Sequence, residues 1–93
     1  MKIVEVTWFD TVSASEWMRQ DDAKGWLSDL EGTKQKTTGY LFEVTDEYVS
    51  TCASRGIRDG GKIGHIYQFP MGCVVDVRDA KTGRKVKLPR GGK

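Results

Sequence analysis

The sequence predicts an all-β domain with one short helical insert, its five or six short strands rolled into a small barrel. Three observations predict it. Apolar residues recur at period two in short runs, the spacing of a strand with one buried face. Turn-forming Gly, Pro, Asp and Thr separate those runs. No long helical segments alternate with the strands, which argues against a parallel sheet. The 93 residues suffice for one domain, and a chain of this size buries only about 60–65% of its unfolded surface. The expected organisation is a barrel over residues 1–80 and a basic C-terminal edge strand or tail over residues 81–93.

The first strand is expected over residues 2–9, with Val4, Val6 and Trp8 on one face and Asp10 at its end. Ser13 and Glu16 stand at capping-box spacing, so a helical turn is expected near residue 14. Asp21 and Asp22 can start a second turn running through Trp26 and Leu27 to Leu30, and Gly25 weakens any longer helix by about 1 kcal/mol. Trp17, Trp26, Leu27 and Leu30 are the residues expected to plug one end of the domain. A second strand follows over residues 36–44, with Gly39 marking a bulge or bend. The third is expected over residues 48–53, completing a hairpin. Residues 54–62 hold three glycines and four charges and read as an exposed loop. The fourth strand spans 63–69, with Ile63, His65, Tyr67 and Phe69 on one face. Pro70-Met71-Gly72 breaks the ladder. Residues 73–78 form a last core strand, residues 84–88 can pair back as an edge, and the end from Pro89 frays.

Hydrophobic residues make up 38% of the chain, charged residues 30%, and there are nine aromatics, a composition that suits a folded domain rather than a disordered one. The longest apolar runs fall far short of the roughly 18 residues that span a membrane. The start, Met-Lys-Ile-Val-Glu-Val, has no apolar signal region, so the expected location is the cytoplasm. Residues 1–79 carry nine basic and 13 acidic side chains; residues 80–93 carry six basic and no acidic ones. An acidic body thus precedes a cationic end. Cys52 and Cys73 both sit in apolar runs and read as reduced, buried thiols. With no Cys-x-x-Cys pair and one histidine, no zinc site and no cofactor are expected.

Several of these pieces together resemble short phage-encoded proteins of unknown function. The resemblance rests on Trp8-Phe9-Asp10, Trp17, Thr37-Thr38-Gly39-Tyr40-Leu41, Thr45-Asp46-Glu47-Tyr48-Val49 and Phe69-Pro70-Met71-Gly72-Cys73-Val74. Met71 stands where that group usually has lysine, and the likeness covers roughly residues 3–78. The same stretch is similar to Sm-like barrels. Gly39-Tyr40-Leu41 with Asp46 matches part of their first motif, and Gly72-Cys73-Val74-Val75-Asp76-Val77 their second. The asparagine of the first motif is missing, and with it a residue type that lines the uridine pocket in that family. The resemblance implies a small SH3-like or Sm-like barrel, a homo-oligomer, and the host cytoplasm as the location.

No catalytic constellation emerges. Trp8, Trp17 and Trp26 read as structural. His65 has no nucleophile near it in sequence. Asp10, Asp21, Asp22 and Asp29 suit loop edges and helix starts, and Asp59-Gly60-Gly61-Lys62 lacks the ending of a phosphate loop. The one feature with a functional slant is the cationic end: Lys81, Arg84, Lys85, Lys87 and Arg90 can neutralise phosphates, with Tyr40, Tyr48 or Tyr67 to stack on bases. The expected function is therefore a non-enzymatic, phage-type binding or assembly module acting as a homo-oligomer. The alternatives are binding of RNA or single strands through the cationic end, and inhibition of a host enzyme or defence system.

Overall fold

Val4, Val6 and Trp8 alternate along β1 (Ile3–Phe9), and the strand buries that face: Val4 and Val6 are fully buried and Trp8 partly. The computed structural model describes residues 1–11, 15–27, 31–58 and 61–89. Four further strands follow: β2 (Lys34–Val44), β3 (Tyr48–Arg55), β4 (Ile63–Pro70) and β5 (Val74–Asp79). They form one antiparallel sheet in the order β4-β3-β2-β1-β5. The domain is all-β, as its period-two runs predict, and the strands lie within two residues of their expected bounds.

The sheet curls but does not close. Strands in a flat sheet lie about 4.8 Å apart, so β1 and β4, three intervals distant, would be separated by roughly 14 Å. Yet the rings of Trp8 on β1 and Phe69 on β4 stand 5.2 Å apart between centroids. Two register shifts help the curl, one in β2 between Leu41 and Glu43, one where β5 passes Thr7 and Trp8 of β1. Such bulges bend a strand and increase its twist. Inside the curl lie Val4, Val6, Val49, Phe69, Val74 and Val77, ringed by half-buried Trp8, Leu41, Val44, Met71, Val86 and Leu88.

Gly39 is a close-approach position rather than the bend. It faces the inside opposite Val4, where an added Cβ would lie 3.1 Å from the carbonyl oxygen of Cys52 and 3.4 Å from Thr51 Cβ. The bulge falls three residues later, at Phe42. Proline ends β4 as expected, still paired with Tyr48, and one 3₁₀ turn (Met71–Cys73) carries the chain into β5. Both cysteines are free, Cys52 buried and Cys73 partly so.

The insert between β1 and β2 departs from expectation. Its base is pinched by the Asp10 amide donating to the Thr33 carbonyl at 2.9 Å. Within it, α1 (Gln20–Trp26) runs through Gly25 and buries none of its residues. Asp21 and Asp22 lie inside its first turn, where their charge suits the helix dipole, and Arg19 occupies the N-cap without a side-chain hydrogen bond. Trp17, Trp26 and Leu27 do not plug the domain: they are 101%, 45% and 60% exposed. The core inside the curl is instead made by valines, Phe69 and half-buried residues led by Trp8, all from the strands, the turn after β4 and the return after β5, with none from the insert. Ser13 and Leu30, the expected cap and the fourth plug residue, lie outside the described residues.

Candidate functional site

A tight return follows β5. The Gly83 amide donates to the Asp79 carbonyl and the Asp79 amide to the Arg84 carbonyl, both at 2.8 Å. Gly83 has φ +74°, a left-handed conformation that a side chain would strain. Asp79 Oδ1 accepts from the amides of Lys81 (2.8 Å) and Thr82 (3.1 Å), locking the turn from within. Those two hydrogen bonds hold the Asp79 carboxyl below the usual carboxylate range, with the ammonium groups of Lys2 and Lys81 adding to the effect. Arg78 Nη1 donates to the Gly83 carbonyl at 3.0 Å. Beyond the turn, the Val86 amide donates to the Val77 carbonyl at 2.8 Å, and Arg78 and Lys85 form an isolated antiparallel bridge. The chain past residue 80 thus doubles back along β5 and seats Val86 and Leu88 on the core.

This return builds a cationic cavity of about 550 Å³, lined by Lys2, Asp79, Thr82, Arg84 and Lys85. Lys2 arrives from the other end of the chain because β1 and β5 are antiparallel neighbours: Val4 pairs with Asp79, and the Ala80 amide donates to the Ile3 carbonyl at 2.8 Å. Lys2 Nζ sits 3.9 Å from Asp79 Oδ2. Among the described residues, no carboxylate lies within ion-pair distance of Arg84 or Lys85.

The five cations singled out in the sequence therefore divide. Arg84 and Lys85 line the cavity; Lys81 and Lys87 are exposed outside its lining; Arg90 lies outside the described residues. Lys2 was missed, since no local pattern links residue 2 to residues 84 and 85. Only strand register does so.

The three tyrosines do not join this cluster. Tyr40 and Tyr48 point to the outer face: Tyr40 pairs with Cys52 and lies under the Arg55 guanidinium, 5.4 Å from ring centroid to Cζ. The Tyr48 hydroxyl donates to Glu43 Oε1. That bond, then burial, pushes its pKa above the ordinary phenol value. Tyr67 stands on β4, at the opposite sheet edge from β5, stacked on Phe69 at 6.0 Å and half exposed. No protein family, curated protein or solved structure matches this chain.

His65 is also on β4, in a left-handed conformation (φ 55°), with Nδ1 3.4 Å from Ser54 Oγ. The β3–β4 register runs unshifted past it, with Cys52 opposite Ile66 and Ser54 opposite Gly64, so His65 is a local backbone irregularity within a continuous ladder. Among the described residues, no three His, Cys, Asp or Glu side chains gather as a metal would need, and no helix is long and apolar enough to cross a membrane.

Proposed function

We propose that this protein is a non-enzymatic, phage-type binding or assembly module that acts as a homo-oligomer, built on an SH3-like or Sm-like barrel. The strand order supports the barrel reading: a four-strand meander whose fifth strand returns to β1 through a single 3₁₀ turn, with Trp8 meeting Phe69 across the inside. One observation carries the assembly reading. β4 is an edge strand, and among the described residues no strand pairs with its outer side. Its centre carries Ile66 and Tyr67, 58% and 52% exposed. An unpaired edge with apolar side chains is a template for another strand. The left-handed backbone at His65 and Pro70 at the end limit the usable stretch to the residues between them. A second copy of the chain, offering the same edge, is the partner this geometry fits best. Sedimentation velocity tests it: the chain should sediment as an oligomer, and Ile66→Lys with Tyr67→Lys should yield a folded monomer. A wild-type chain that stays monomeric at 100-fold dilution steps up to millimolar concentration, on the scale of weak association, would reject the reading.

A second reading is favoured by the cavity at the other edge. Lys2, Arg84 and Lys85 converge there with one carboxylate among them, which suits the phosphates of RNA or a single strand. The tyrosines lie away from these cations, so base stacking by Tyr40, Tyr48 or Tyr67 would require a strand that crosses the sheet. Retention on an oligonucleotide column at low salt, lost as salt rises, is the expected behaviour. Blockade of a host enzyme or defence system remains the third proposal from the sequence, and no described residue favours it over these two.

A further inference from the structure

We propose that the Lys2–Arg84–Lys85 cavity is a binding site for a phosphate monoester, a terminal phosphate rather than the diesters along a strand. The inference is independent of self-assembly and deepens the nucleic-acid reading by naming the group recognised.

Charge decides between monoester and diester. Three cations and one carboxylate line the cavity, leaving a surplus of two positive charges. A diester carries one negative charge and leaves half that surplus unbalanced. A monoester carries about −1.5 to −2 at neutral pH, with three acceptor oxygens. The Asp79 carboxylate, the one negative charge in that count, is already engaged: Oδ1 accepts from the Lys81 and Thr82 amides, and Oδ2 lies 3.9 Å from Lys2 Nζ. Arg84 and Lys85 are left to the ligand.

The site is also built before any ligand arrives. Arg84 and Lys85 are adjacent on the return strand, and that strand is held by the Asp79–Arg84, Gly83–Asp79 and Val86–Val77 backbone hydrogen bonds. Their backbone positions therefore do not have to be ordered on binding, which lowers its entropic cost. The guanidinium of Arg84 can take two phosphate oxygens side by side, and Lys85 can add a point charge. The cavity is open to solvent and Arg84 and Lys85 are exposed, so a terminal phosphate can reach them with the rest of a nucleotide or strand lying outside.

Two sources can supply the monoester: a free nucleoside monophosphate or the 5′-phosphorylated end of a strand. Amide chemical-shift titration and calorimetry of the full chain would use three probes: adenosine 5′-monophosphate, a 5′-phosphorylated octanucleotide, and the same octanucleotide with a 5′-hydroxyl. The phosphorylated probes should shift the amides of residues 79–85. The 5′-phosphorylated strand should bind about tenfold or more tightly than its hydroxyl counterpart, the effect of one good charge-assisted contact. Arg84→Gln with Lys85→Gln should abolish that ratio. Lys81→Gln with Lys87→Gln removes the same charge from outside the cavity and should preserve it. Lys2→Gln, from a different strand, provides a third variant whose melting can be checked separately. Tight binding of the mononucleotide without gain from the strand supports the site and assigns it to free nucleotide. Equal binding of the phosphorylated and hydroxyl strands overturns the monoester site while leaving the nucleic-acid reading intact. Absence of binding by all three probes at low salt overturns both.

Discussion

Replacing Thr51 by valine should stabilise this protein. Thr51 lies in the middle of β3 on the inner face and is 1% exposed. Its hydroxyl has no hydrogen-bond partner among the described residues. A buried hydroxyl without a partner costs about 1–3 kcal/mol by mutational measures. Valine has nearly the same shape and an equal preference for strands, and its extra methyl adds up to about 0.8 kcal/mol of burial. Some of that gain is offset by crowding, because Gly39 and the Cys52 carbonyl already pack closely there. The expected net gain is about 1–2 kcal/mol, and for a domain of this size each kcal/mol raises Tm by about 4–8 °C. Urea unfolding followed by circular dichroism measures it, with an unchanged m-value as the control. Thr51→Ser separates the two contributions: it keeps the hydroxyl, loses a methyl, and should cost about 1 kcal/mol. If Thr51→Val instead destabilises by 1 kcal/mol or more, the hydroxyl has a partner and the reasoning fails.

Gly39→Ala should destabilise by about 1–3 kcal/mol, since its Cβ would press on a backbone carbonyl that can yield only by shifting β3; a neutral result in the same urea assay would show that the strands separate freely. Trp17→Ala should change stability by less than about 0.5 kcal/mol, as expected for a fully exposed side chain; a loss near that of a core tryptophan would restore the plug that the structure removes. Asp79 contributes to the pH profile with a definite sign. Its folded pKa is depressed, so its stabilisation is present above the unfolded carboxylate value and is lost as pH falls through the lower folded value. Asp79→Asn should therefore flatten the acid limb of the melting profile, and a carbon-detected titration of Asp79 that gives an ordinary value would contradict this.

The two edges of the sheet offer different chemistry. The β4 edge is open and apolar, with Ile66 and Tyr67 available to another chain. The β5 edge is covered by the chain's own return through residues 84–88 and presents cations instead. Assembly through the β4 edges of two copies would leave both β5 edges free, so the pair would carry two cationic cavities at once. Weak single contacts would then gain from multivalency.

Alternation along β1 was legible from residues 2–9 because it is local: burial on one face of a strand leaves a period-two trace in any short window. The break at Pro70-Met71-Gly72 was legible for the same reason, since proline and glycine act on their own backbone. What the sequence by itself determined is therefore an all-β chain of about five strands with a brief helical insert. Only the tertiary structure decided how far the sheet curls, which tryptophan enters it, and where the cations meet. Trp8 enters because it shares a face with Val4 and Val6, whereas Trp17 belongs to the insert, outside any strand, and stays fully exposed. Lys2 joins Arg84 and Lys85 across more than 80 positions because β1 pairs antiparallel with β5. Register between distant strands arises from the packing of whole faces, and no single stretch of sequence encodes it.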